Sequence, residues 1–328
     1  MKKYYRILMM GVISLTTLSC GNKSKAADEP VKKIVVQAPQ FDADSAYQYT
    51  QAQVDFGTRV PNTPGHVACG NYLAEKLKAF GAKVTNQYAD LVAYDGTLLK
   101  ARNIIGSYKP ESKKRIALFA HWDTRPWADN DPDEKNHHTP ILGANDGASG
   151  GAVLLEIARL LQLQQPELGI DLIFLDAEDY GTPQFHTGEY DENSWCLGAQ
   201  YWARHPHVEG YKARFGILLD MVGGKQALFY KEEYSENYAK DVNKKVWNKA
   251  NELGFGRYFI NEKCGKTTDD HLFINRIANI PTIDIVSYDP ECSFNPTWHT
   301  LNDNMNYIDR ATLKAVGQTV IEVIYNEQ

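Results

Sequence analysis

The stretch GANDGASGGAVLLEIARLLQLQQPELGIDLIFLDAED, residues 143–179, decides the fold. Glycines and one acid, Asp146, open it, and residues 148–163 then carry the Ala, Leu and Ile content of a helix packed against a core. After a short polar link, residues 170–175 form an apolar run without polar alternation, which suits a strand covered on both faces, as in a parallel sheet. The run breaks into Asp176, Glu178 and Asp179. A helix leading into a covered strand that ends in acids is one unit of an α/β fold.

The same pattern continues outward. Residues 103–105, 116–120, 215–219 and 282–286 read as further short apolar strands, and residues 71–80, 197–204, 237–253 and 312–325 as helices. In the first of these helices Tyr72, Leu73, Leu77 and Phe80 share one face, and Gly81 follows where a C-cap is wanted. Strand alternating with helix predicts a three-layer α/β sandwich around a mostly parallel central sheet. No repeat or low-complexity block follows residue 40, so a single domain over residues 41–328 is the simplest account.

With 43% hydrophobic and 23% charged residues, the 328-residue chain has an ordinary globular composition, which disfavours disorder, collagen-like repeats and multi-pass membrane architecture. The formal charge is −6, and the first nineteen residues carry Lys2, Lys3 and Arg6 but no acid. The remainder is therefore more acidic still, which argues against a nucleic-acid surface.

Residues 1–6 form a charged n-region, residues 7–18 an apolar run too short to span a bilayer, and Ser19 precedes Cys20. This resembles a bacterial lipoprotein signal. It implies a signal peptide over residues 1–19, lipidation of Cys20, and a tether over residues 20–40 that makes the only membrane contact. The expected location is the periplasm or outer membrane of a Gram-negative bacterium. Thr17 stands where such signals usually carry Leu, so a plain secretory signal is the alternative; export follows on either. Export permits disulfides, but Cys69, Cys196, Cys264 and Cys292 allow three connectivities and their spacing selects none. At most one bridge among small buried residues is expected, and no zinc–thiolate site.

The acids and histidines fall at the carboxyl ends of the expected strands. Residues 116–120 run into His121 and Asp123, residues 170–175 into Asp176, Glu178 and Asp179, and residues 215–219 into Asp220; a later loop carries Asp269, Asp270 and His271. Open α/β sheets bind ligands outside these ends. Taken singly, each residue has a plainer role: His121 and Asp123 as structural neighbours, Asp146 as an N-cap, Glu178 and Asp179 in a solvated loop, and His299 as an incidental histidine. Taken together, Asp146, Asp179 and Asp220 at one sheet edge repel one another and resist desolvation unless a cation neutralises them. Imidazole and carboxylate without thiolate suit Zn²⁺.

The sequence His121-Trp122-Asp123, the Gly-rich turn around Asp146, Glu178-Asp179, Asp220 and His299-Thr300 resemble, in order, the motifs of the M28 metallopeptidase superfamily. Within it, Leu219-Asp220-Met221-Val222-Gly223, Asp269-Asp270-His271 and Trp298-His299-Thr300 followed by Asp303-Asn304 look like the animal-type glutaminyl cyclases. The resemblance implies one zinc on Asp146, Asp179 and His299, with Asp179 standing where animal members have Glu. It also implies Glu178 as the proton-transfer group and Asp220 and Asp269 sharing a proton or holding the leaving nitrogen. Trp298 and Phe294 would be an apolar wall for an amino-terminal glutaminyl residue of a peptide or exported protein, and Trp195 a second aromatic wall. Asp284 falls where animal cyclases carry His, and residues 129–140 look like an insertion. The alternative enzyme is a two-zinc aminopeptidase, using His121 and Asp220 for a second ion with Asp146 bridging. The non-enzyme alternative is a binding lipoprotein on an inactive peptidase fold.

Overall fold

The computed structural model describes residues 37–327; the expected signal peptide, Cys20 and the start of the tether lie outside them. Contacts divide the chain into Met1–Val35 and Val36–Gln328, and the second unit carries every element described below. In chain order these are α1 (Ala43–Val54), α2 (Pro64–Ala79), β1 (Lys83–Val92), β2 (Leu98–Tyr108), β3 (Arg115–His121), α3 (Ala148–Leu163), β4 (Gly169–Leu175), α4 (Leu197–Arg204), β5 (Gly216–Asp220), β6 (Leu228–Lys231), α5 (Glu233–Glu252), β7 (Phe259–Lys263), α6 (Asp270–Phe273), β8 (Thr282–Tyr288) and α7 (Arg310–Asn326). No helix among the described residues is long and apolar enough to cross a membrane.

The strands form one sheet in the order β1-β2-β4-β3-β5-β8-β6-β7. Its centre, β4-β3-β5-β8, is parallel; β2 joins β4, and β6 joins β8, antiparallel. Every residue of β3, β4, β5 and β8 is buried, because helices cover both faces. Ile116, Leu118, Ala120, Leu172, Phe174, Ile217 and Leu219 face a core shared with α1, α2, α3, α5 and α7. The alternate residues Ala117, Phe119, Ile173, Leu175 and Leu218 face Ala199 and Trp202 of α4 and Phe273 of α6. That period of two across a twice-covered sheet is the expected three-layer sandwich.

Helices α3 and α4 keep the expected bounds. Helix α2 starts seven residues earlier than its apolar face suggests, because Thr63 caps it through the His66 N–H and Pro64 occupies the first turn. Residues 103–105 are the middle of β2, a longer strand that runs antiparallel to β4. Cys264 and Cys292 are bridged, while Cys69 and Cys196 are free and buried. The bridge ties the end of β7 to the loop that presents Phe294.

Candidate metal centre and active site

Three loops at the carboxyl edge of the parallel strands build the site, and each contains a left-handed residue. Ala177 has φ 53°, Met221 φ 49° and His299 φ 54°. Non-glycine residues adopt this conformation only where the surroundings impose it, commonly at functional sites. Asp146 precedes Gly147, the N-cap of α3, whose φ is 97°. A Cβ there would stand 2.7 Å from the Asp123 carbonyl oxygen, and one on Gly150 would stand 2.2 Å from that of Leu219. Glycine lets α3 press onto the sheet edge and carry Asp146 between the loops. The plainer N-cap role for Asp146 is not the one observed, since no side chain caps α3.

The Asp146 carboxylate presents one oxygen to each of two histidines. Its Oδ1 is 3.0 Å from His121 Nε2, which is also 3.2 Å from Asp220 Oδ1. Its Oδ2 is 3.6 Å from His299 Nε2, which is 3.2 Å from Asp179 Oδ1. Asp146, Asp179 and His299 therefore form one group able to hold a metal, and His121, Asp146 and Asp220 a second. The two groups differ in hydrogen bonding. Asp146 Oδ2 and both Asp179 oxygens are buried without a hydrogen bond, whereas His121 Nε2 and Asp220 Oδ1 satisfy each other, with His121 Nδ1 left unpaired. Buried unpaired carboxylate oxygens beside an imidazole nitrogen fit a zinc ion.

Glu178 and Asp179 are buried, not in a solvated loop. Asp123 sets the pair by accepting the N–H groups of Glu178 and Asp179 at 3.1 and 3.2 Å. Burial pushes the Glu178 carboxyl well above its ordinary 4.5 and Asp220 up to about 7. Burial also raises Asp146, but the facing His121 and His299 outweigh it and hold that carboxylate down. Asp269, Asp270 and Asp284 are all pushed up by burial. Asp269 Oδ1 accepts the Asp270 N–H at 2.5 Å, while Asp220 pairs with His121. Behind them His271 Nε2 contacts Glu232 Oε2 at 3.0 Å.

Aromatic rings flank His299. Trp298 stacks on it with centroids 3.8 Å apart, and Phe294 lies 4.5 Å from Trp298. Trp195 lies parallel to the imidazole at 6.2 Å, with the Arg125 guanidinium 4.6 Å from its ring centre. A cavity of about 510 Å³ opens against Trp298, Phe294, Tyr288 and Lys266.

Two neighbours of the ligand group lie outside the site residues read from the sequence. Asp129, in the expected insertion, takes a two-pronged ion pair from Arg125 at 2.7 and 2.6 Å and faces His299 Nδ1 at 3.4 Å. Burial raises the Asp129 carboxyl, but Arg125 and His299 overcome that and hold it far below the usual range. A carboxylate behind a ligating histidine fixes its ring and raises its basicity. Asp129→Asn is therefore expected to weaken zinc binding by about 10- to 100-fold, as measured by competition with a chelator; unchanged affinity would dismiss that role. Asp303 accepts the N–H groups of Asn145 and Asp146 at 2.7 and 3.0 Å and so fixes the Gly-rich turn.

A parallel α/β sandwich with two carboxylate–histidine groups joined through one aspartate at its strand ends defines a metalloenzyme scaffold. The chain belongs to peptidase family M28, whose model matches residues 103–324. A glutaminyl cyclase from Bacteroides thetaiotaomicron, solved with N-acetylhistamine bound, is 75% identical over 89% of this chain and 100% of that one, with a TM-score of 0.88. A structure described as a leucine aminopeptidase precursor from the same species is 74% identical over 90% of this chain and 100% of its own, also with a TM-score of 0.88. The Drosophila melanogaster glutaminyl-peptide cyclotransferase is 26% identical, over 77% of this chain and 73% of its own length.

Proposed function

We propose that this chain is a glutaminyl-peptide cyclotransferase, which converts an amino-terminal glutaminyl residue to pyroglutamate with release of ammonia. One observation carries this reading. A buried carboxyl, Glu178, sits next to the ligand Asp179 without joining its group, directing Oε2 to within 4.0 Å of His121 Nδ1. Such a group can take and return a proton without activating water. Similarity to cyclases from bacteria and animals supports the same conclusion.

Asp146, Asp179 and His299 would hold zinc, which when bound supplies Lewis-acid polarisation of the side-chain carboxamide. Nucleophile and electrophile belong to one residue, so orientation replaces a second encounter. Trp298 and Phe294 hold the side chain in register. Glu178 accepts the proton that the α-amine loses as its nitrogen bonds to the amide carbon. The same carboxyl then gives that proton to the departing nitrogen, and the carbon–nitrogen bond breaks to yield ammonia. A single zinc is supported by the difference between the two groups: Asp146 Oδ2 and both Asp179 oxygens lack a hydrogen bond on the His299 side, while on the other side His121 Nε2 and Asp220 Oδ1 satisfy each other.

Mass spectrometry of a Gln-initiated peptide after incubation with the zinc-loaded protein tests this function. Loss of ammonia with every residue retained is expected; release of the first amino acid would establish the aminopeptidase instead. On the expected export route through Cys20, the substrates are the new amino termini of exported proteins.

A further inference from the structure

Cys196 is fully buried and uncrosslinked, and its Sγ lies 3.2 Å from Glu178 Oε1, so the thiol donates to the carboxylate. The backbone is set for this contact. Cys196 has φ 57° and Ala177 φ 53°, and the N–H groups of Cys196 and Leu197 donate to the carbonyls of Glu178 and Ala177, each at 3.0 Å. Two left-handed residues, a conformation held only under constraint, are thus laced together with the thiol facing the carboxyl. Burial and the adjacent Glu178 push the thiol well above its ordinary 9, so the sulfur keeps its hydrogen.

We propose that Cys196 is a positioning residue: its thiol occupies Glu178 Oε1 and fixes the carboxylate's rotation, leaving Oε2 as the oxygen that meets the substrate amine. This rests on the role given to Glu178 above. A packing role makes a different prediction. Cys196 lies among Ile105, Leu175, Ala199 and Trp202. If it only filled space, serine would be no better than alanine, because a hydroxyl in that setting is buried without need. If it donates, serine restores what alanine removes.

The test uses the full zinc-loaded chain and a Gln-initiated peptide. Cys196→Ala is expected to lower kcat about tenfold, with KM and zinc content unchanged, and Cys196→Ser to return kcat to within about twofold of the parent. A second readout needs no turnover. The S–H stretching band, assigned by its loss in Cys196→Ala, should move towards the position of a weakly bonded thiol in Glu178→Gln. Equal losses in the alanine and serine variants, or a band unmoved by Glu178→Gln, would overturn the proposal. Full turnover in Glu178→Gln with zinc bound is a separate failure: it removes the base itself, while the band still reports the contact.

Discussion

In the Glu178→Gln variant kcat for cyclisation falls by about a thousandfold, while the zinc content is unchanged. Glutamine keeps the size of the side chain and lies outside the group formed by Asp146, Asp179 and His299. What it loses is the ability to take a proton. The pH profile gives a second measure. Because burial raises the Glu178 carboxyl well above 4.5, its basic form is lost as pH falls through that raised value. The acidic limb of kcat/KM should therefore lie above the pH at which an ordinary glutamate titrates, and should vanish in the variant. Steady-state kinetics beside metal analysis decides the matter: turnover near that of the parent, with zinc present, would remove Glu178 from the chemistry.

Stripping the metal has an effect at least as large. With a strong chelator, activity is expected to fall to the uncatalysed level, and titration with zinc should restore it linearly to a break at one equivalent per chain. Asp146→Ala should not recover under any zinc concentration tested, since it removes the carboxylate shared by both histidine groups. A break at two equivalents would mean that His121 and Asp220 also ligate, and would return the aminopeptidase to favour. The thermal midpoint should follow the same titration, because an ion that binds only the folded chain stabilises it by mass action.

Much of this site was legible because covered strands and their ends carry a strong signal. The apolar runs before His121, Asp176 and Asp220 needed no partner to be recognised, and the turn GANDGASGG announced α3 directly. What escaped was what periodicity does not encode. Strand β1 alternates between half-buried and exposed residues and reads as polar sequence. The start of α2 is set by Thr63 and Pro64, ahead of the apolar face that revealed the rest of the helix. Asp129 meets His299 only through the fold, 170 residues along the chain, and nothing local marks it as the histidine's partner. The same limit applied to cysteine pairing. Spacing left three connectivities open, and the folded loops bring together Cys264 and Cys292.

The close approach of α3 to the sheet edge divides the molecule for anyone wishing to alter its selectivity. Gly147 and Gly150 tolerate no added carbon, since each faces a main-chain oxygen that cannot swing away. A mutagenesis library should leave that floor untouched. The loop at residues 289–296 carries Phe294 of the aromatic wall without entering the ligand groups, and much of its surface meets solvent. Variation there can reshape what docks while the ion-binding frame keeps its register.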